Sequence, residues 1–330
     1  MLLTISIPTH NASHYLDEAL ESITKEPGLG ILYEITLSDN SLSSETENLF
    51  KKKYAKNIGI NYHRALKYGC LDSNINNSVE LAKGKYVWIF GDDDLIVQGS
   101  LIEIVKFLQK HQPNLLVVNS KSFNQKGIIE NSRVPIKKNL IYKEKESNEF
   151  LADFGSYLTY IGGIIVNKDS WVNNFDKNKI GSYFAHLDVV FKIKKNNVAY
   201  FFSRECIKMR LGSQTWTSKS FEIWNINFAE IIWDLKNYNN FSKNKVISRY
   251  PFHSPKNLLA SRAYGRINLD VWKKVIYKSE KISLFFKIFT LIISLIPRSI
   301  FKNSYRIMIL KRRKNHTLKF SPELALAQLN

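Results

Sequence analysis

Apolar residues in the first two hundred positions fall into two alternating rhythms. Short runs at 3–7, 33–37, 58–63, 86–90 and 115–119 have the length and the β-branched or aromatic content of strands. Between them, Leu16, Ala19, Leu20 and Ile23 recur at helical spacing up to Thr24, behind Asn11 or Ser13 as a cap. Ser44 and Glu47 stand at capping-box spacing ahead of a short helix ending near Tyr54. A helix over 72–82 stops at Gly84, as a glycine C-cap would end it, and another covers 98–110. Farther on, 144–154 and 182–195 read as helices, while the apolar stretch after Gly162-Gly163 and the run 198–202 read as strands. This alternation predicts an α/β fold with a mixed, mainly parallel sheet flanked by helices. Ligands of such sheets lie beyond the carboxyl ends of strands, where residues 8–11, Asp39 and residues 92–94 fall.

The pattern changes in the last hundred residues, which read as helical. Residues 282–296 are almost all apolar, and the polar exceptions Ser283, Lys287, Thr290 and Ser294 gather on one helical face. That run spans about 22 Å, short of a hydrocarbon core of about 30 Å. Pro297 ends it, and Arg298, Lys302, Arg306 and Lys311-Arg312-Arg313-Lys314 follow. An amphipathic helix in a membrane interface, beside a polybasic segment, fits this arrangement. A buried helix of a helical subdomain and a membrane span are the alternatives. The chain thus divides into 1–215 and a helical, basic region, 216–330. There Trp216, Trp224, Trp233 and Trp272 offer ring faces to sugars or headgroups, or pack in a core.

Composition sharpens that division. Over 330 residues, 44% hydrophobic and 13% aromatic content support a substantial core and argue against disorder. The formal charge is +19, and from Lys256 onward 16 Lys/Arg face 3 Asp/Glu, so this tail carries +13 and the rest +6. The basic partner surface is therefore C-terminal. Its charges are interleaved with an apolar run, which favours an anionic membrane surface over nucleic acid. Cys70 and Cys206 form no disulfide framework and no metal spacing, and residues 1–8 read as a first strand instead of a signal peptide. These features place the protein peripherally at the cytoplasmic face of the plasma membrane. A non-enzymatic nucleic-acid- or membrane-binding protein built on the tail is the competing reading.

The chemistry concentrates in Lys83-Gly84-Lys85-Tyr86-Val87-Trp88-Ile89-Phe90-Gly91-Asp92-Asp93-Asp94. A strand ends in three consecutive carboxylates, whose repulsion a hard divalent cation, Mn2+ or Mg2+, would relieve. Alternatively, the aspartates cap the helix over 98–110.

Four motifs in order, Ile5-Ser6-Ile7-Pro8-Thr9-His10-Asn11, Ser38-Asp39-Asn40-Ser41, Asn76 ahead of Gly84, and the strand ending in Asp92-Asp93-Asp94, resemble family 2 glycosyltransferases of the GT-A fold. The resemblance covers residues 1–211. It implies transfer of a sugar, with inversion and a divalent cation, from a nucleotide-sugar donor (a UDP-sugar favoured) to a saccharide or lipid-linked acceptor in surface polysaccharide assembly. Pro8 and His10, with Thr9 and Asn11 in the same segment, would border the nucleobase. Asp39 would accept from the base edge, and Asn76 would lie beside the diphosphate. The family's Asp-x-Asp register begins on Gly91 here and ends on Asp93; Asp92 and Asp94 restore the pattern one step later, so all three aspartates are metal candidates and Asp92 a substrate candidate. The family's Glu-Asp pair near the start of a later helix is matched by Leu187-Asp188. Asp188 is then the general base, with His186 its competitor or an acceptor-site hydrogen bonder.

Overall fold

The computed structural model describes residues 1–11, 13–65, 69–123, 129–211 and 219–314. Its strands are β1 (Leu3–Thr9), β2 (Tyr33–Asp39), β3 (Ile60–Arg64), β4 (Tyr86–Ile89), β5 (Leu95–Ile96), β6 (Leu115–Phe123), β7 (Ile129–Ser132), β8 (Leu140–Tyr142), β9 (Ile164–Asn167) and β10 (Ala199–Arg210). They form one sheet in the order β3-β2-β1-β4-β9-β6-β10-β5, with β7 on β6 and β8 on β10. The stretch β3-β2-β1-β4 is entirely parallel, whereas β9 enters antiparallel to both neighbours. Strand order reverses between β1 and β4, and such a switch point opens a crevice at the strands' carboxyl ends.

Every residue of β1 and β2 is buried, which a strand covered on both faces requires. Polar members of these strands are paired inside. The Thr4 hydroxyl donates to Glu34 Oε1 at 2.8 Å, and Glu34 also takes the Lys83 N–H at 2.8 Å and Asn61 Nδ2 at 3.1 Å. The helix predicted over 72–82 spans Leu71–Leu81, but Gly84 does not cap it, since the extended residue Ala82 ends it. A Cβ on Gly84 would lie 2.6 Å from the Thr4 nitrogen, so glycine is needed for close passage against β1. Ser44 caps nothing with its side chain. Glu47 pairs instead with Lys51 (2.6 Å) and Arg64 (2.9 Å), and β3 starts at Ile60, leaving Ile58 86% exposed.

The chain separates into two compact units, Met1–Arg210 with Asp234–Val246, and Leu211–Trp233 with Ile247–Asn330. The boundary expected at 215 lies outside the described residues, as does Trp216. Residues 234–246 return to the first unit, where the Tyr238 hydroxyl donates to the Phe191 carbonyl (2.8 Å). The second unit has its own core of Phe221, Ile226, Phe252, Leu258, Ile267 and neighbouring residues. Trp224, Trp233 and Trp272 are half-buried: Trp233 Nε1 donates to the Ile247 carbonyl, Trp272 Nε1 to the Lys287 carbonyl, and Trp224 lies under the Arg266 guanidinium.

Candidate active site

Two loops meet at the carboxyl ends of β1 and β2, because parallel pairing sets Thr9 opposite Asp39. The Asn40 N–H donates to the Thr9 carbonyl, and buried Asn74 donates to both the Thr9 carbonyl (3.1 Å) and Asn40 Oδ1 (3.2 Å). Asn11 sits in the left-handed region at φ 54°, from which its N–H reaches Ser41 Oγ (2.8 Å) and its Oδ1 takes the Leu42 N–H (3.1 Å). His10 Nδ1 faces two acceptors, the Asn40 carbonyl and Oδ1, at 3.0 Å each, so Nδ1 carries the proton. Nε2 then accepts from Asn11 Nδ2 at 3.1 Å. His10 and Asn11 are exposed on this stitched floor, while Pro8 and Thr9 are buried beneath them.

Asp39 is wholly buried, with one oxygen taking the Ser41 N–H (2.8 Å) and the other the Tyr62 hydroxyl (2.6 Å). In this conformation it shapes the loop that the exposed residues stand on. Burial and this hydrogen bond raise the Tyr62 pKa, so the hydroxyl stays a donor.

The three aspartates after β4 diverge. Asp92 is half-buried at the switch point, just past the place where the Phe90 N–H donates to the Ser6 carbonyl of β1 (2.9 Å). Burial, then the charge of Asp93, push its pKa up to about 7. Asp93 is half-buried. Asp94 points inward at 1% exposure, taking the Tyr160 hydroxyl on Oδ2 (2.5 Å) and the Arg210 N–H on Oδ1 (3.0 Å). Burial and Asp93 raise its pKa well above the usual carboxylate range. None of the three caps the following helix, Ser100–His111. Glu26 does so from afar, accepting the Gly99 and Leu101 N–H groups at 2.7 and 3.2 Å.

Gly91, the position where the family register wants an acid, is occupied by the turn itself. A Cβ there would lie 2.6 Å from Asp94 Oδ2 and 3.1 Å from Asp93 Oδ1. Arg210, at the end of β10, clamps the turn from behind. Its Nε donates to the Asp93 carbonyl (2.9 Å), its Nη2 pairs with Glu18 (2.5 Å), and its guanidinium lies 4.6 Å from the Tyr15 ring and 4.7 Å from the Phe123 ring.

Among the described residues, no three His, Cys, Asp or Glu side chains are gathered as a ready metal cage. Magnesium commonly takes one or two carboxylates together with substrate phosphates, so a full cage is not required. Asp92 and Asp93 suit that mode, being half-buried neighbours whose repulsion a cation would relieve. Asp94, expected as a third ligand, does not, because both its oxygens hold the turn together.

The later helix, Ala185–Lys195, is placed by a residue that sequence reasoning missed. Asp72, 2% exposed, accepts the N–H groups of Gly181 (2.9 Å), Tyr183 (2.8 Å) and Ala185 (3.2 Å). Burial raises its pKa, and those hydrogen bonds oppose the rise. Its partners lie more than a hundred positions away, so only its type, an acid in a helix's first turn, was visible locally. Asp188 sits in the first turn of the helix so placed, with Lys192 Nζ 2.6 Å from Oδ2. His186 is 2% exposed, donates Nε2–H to the Leu158 carbonyl (3.1 Å), and is driven by burial down to about 4. Burial keeps this ring neutral, and Asp188 on the same helix is buried too, at 5% exposure. Asn76 is likewise used in packing: Nδ2 donates to Glu80 (2.9 Å) and Oδ1 accepts from Trp171 Nε1 (3.0 Å). The structure does not bring it to the strand ends.

A parallel half-sheet with a stitched switch point and an acidic turn after its fourth strand has counterparts among known proteins. The profile of Glycosyl transferase family 2 matches residues 4–174, just over half of the chain, and the chain belongs to that family. It is 28% identical over 206 residues to the abequosyltransferase RfbV of Salmonella typhimurium, covering 58% of this chain and 61% of that protein. It is 28% identical over 131 residues to a poly(ribitol-phosphate) beta-glucosyltransferase of Bacillus spizizenii, covering 39% of this chain and 20% of that protein. The matched segments thus span three fifths and one fifth of these relatives. Staphylococcus aureus TarS residues 1–349, crystallised with UDP and with UDP-GlcNAc, superposes with a TM-score of 0.56 in both cases, at 14% and 15% identity. The alignment with the UDP-GlcNAc complex covers 93% of this chain and 92% of that one. The shared fold is of the GT-A type.

Proposed function

We propose that this protein transfers a sugar from a UDP-linked donor to a hydroxyl of a saccharide or lipid-linked acceptor, with inversion, in surface polysaccharide assembly. One observation carries the reading: exposed His10 and Asn11 stand beside the half-buried Asp92–Asp93 pair at the β1/β4 switch point. The names of the relatives and the nucleotides crystallised with TarS support the donor and acceptor classes. His10 and Asn11, on the floor made by Pro8, Thr9 and buried Asp39, bind the nucleoside end. Asp92 and Asp93 would hold Mn2+ or Mg2+, which supplies positive charge for the leaving diphosphate. Asp188 takes the proton from the attacking hydroxyl, and Lys192 orients its carboxylate. Attack opposite the leaving group inverts the sugar carbon.

A nucleotide-release screen over UDP-, GDP-, CDP- and TDP-sugars, with and without manganese, tests this. UDP release from UDP-sugars that requires manganese is expected. Full activity in EDTA would remove the cation from the reading, and release from none of the donors would remove the enzyme.

A further inference from the structure

The helix Leu284–Leu295 faces the wrong way for ordinary packing. Its hydroxyl residues point inward, Thr290 at 1% and Ser294 at 7% exposure. Each hydroxyl is satisfied on its own helix, Thr290 by the Phe286 carbonyl (2.7 Å) and Ser294 by the Leu291 carbonyl (2.7 Å). The outward stripe is apolar: Leu284 is 72% exposed, Phe285 66%, Ile288 50%, Ile292 53% and Leu295 64%. The polar face foreseen from spacing is therefore turned largely to the core.

This orientation is built in. Arg262, itself buried, donates to the carbonyls of Ile293 (2.9 Å) and Ile296 (2.6 Å) at the helix's end and to Ile267 (2.9 Å). Trp272 Nε1 holds the Lys287 carbonyl at 2.8 Å. Rolling the helix to hide its stripe would strand a buried guanidinium. After Pro297 the path bends by 96° into Arg298–Lys314, where Ile300 (54%) and Ile307 (55%) are also exposed. Among the described residues no single helix is long and apolar enough to cross a membrane.

A contiguous exposed apolar patch marks an interaction surface, and charge selects its occupant. Lys273, Lys278 and Arg306 are exposed in the same unit, and Arg298–Lys314 contains seven Lys/Arg and no acid. Asp270 and Glu230 are already paired with Lys274 and Lys281. A second copy would set like charges against each other, whereas anionic headgroups complement them. We propose that the outward face of Leu284–Leu295, continued through Ile300 and Ile307, is a monotopic docking surface for an anionic lipid bilayer. The helix lies in the interface plane with its apolar stripe in the acyl boundary. The inference is independent of which sugar is transferred.

Vesicle flotation of the full chain tests it, using phosphatidylcholine alone and phosphatidylcholine with one-third phosphatidylglycerol. Strong binding to the anionic vesicles, weak binding to the neutral ones and incomplete release by salt are expected. Ile288→Glu and Ile292→Glu, on the exposed stripe, should each weaken partitioning about tenfold or more without changing the thermal midpoint. Lys273→Glu with Lys278→Glu should weaken only the salt-sensitive part. Unchanged partitioning of both stripe variants overturns the proposal. So does a dimer in sedimentation that Ile292→Glu dissociates while vesicles remain unbound.

Discussion

At the carboxyl edge of the sheet, Asp39, Asp72 and Asp94 are at most 2% exposed and each carboxylate accepts at least two donors, while in the second unit Leu284, Phe285 and Leu295 stand more than 60% exposed above buried Thr290 and Ser294. Both arrangements invert the usual sorting of polar and apolar groups, and the difference shows what each surface is for. A buried carboxylate is costly unless donors reach it, and here they come from distant strands and loops, fixing the shape of an edge that stays partly polar. An exposed apolar stripe has no internal compensation. Its partner must come from outside the chain.

The largest expected effect tests the role given to the later helix. Asp188→Asn should lower turnover about 10²–10⁴-fold while leaving donor affinity nearly unchanged, the pattern of a lost general base. Steady-state kinetics beside UDP titration separates these quantities. Equal losses in both would make Asp188 a support for the loop that Asp72 holds.

Next comes the acidic turn. Asp93→Asn should reduce manganese-dependent turnover about 10²–10³-fold, since charge at the leaving diphosphate is worth several kcal/mol. Asp94→Asn should instead show mainly as lost stability, because Asp94 faces Tyr160 and Arg210 inside. A normally stable Asp94→Asn with abolished manganese binding would reverse these roles. Gly91→Ala sharpens the same contrast. Its methyl would displace a tethered carboxylate, costing about 1–3 kcal/mol, read as a lower urea midpoint at unchanged slope.

Much of the first unit was legible because its signals are local. The helix Ser13–Thr24 and strands β1, β2 and β4 follow apolar periodicity within one or two residues of expectation. What failed depends on partners far along the chain. Gly84 was visible as a stop, but its reason is β1, eighty positions earlier. β10 was cut short at 202 because Arg204, Glu205 and Lys208 break the apolar run, and the strand continues through a bulge to Arg210. Arg210 itself looks like one more basic residue until Asp93, Asp94 and Glu18 converge on it. His186 reads as an alternative to Asp188, and only tertiary packing, invisible locally, buries both, at 2% and 5% exposure. The stripe on Leu284–Leu295 was readable as two faces, whereas the face turned to solvent depended on Arg262 and Trp272.

The smallest effect concerns pH. Asp92 titrates near 7 in the folded chain against 3.8 for the free side chain. Between about pH 4 and 7 the folded state therefore binds more protons at this site than the unfolded one, and its contribution to stability falls as pH rises. Asp94, also raised, acts in the same direction. His186 opposes them: with its pKa lowered from 6.5 to about 4, the folded state binds fewer protons between those values, and stability grows as pH rises through them. Below 6.5 His186 offsets part of what the two carboxylates contribute, and from 6.5 to 7 that opposition is gone. Urea midpoints between pH 5 and 8 should therefore decline across that upper stretch, and Asp92→Asn should flatten the decline. Manganese sharpens the test, because a ligand carboxylate must be ionised. The cation should raise the thermal midpoint more at pH 8 than at pH 6, and that difference should shrink in Asp92→Asn. A manganese shift independent of pH would take Asp92 out of the ligand set and leave Asp93 to hold the cation with the diphosphate.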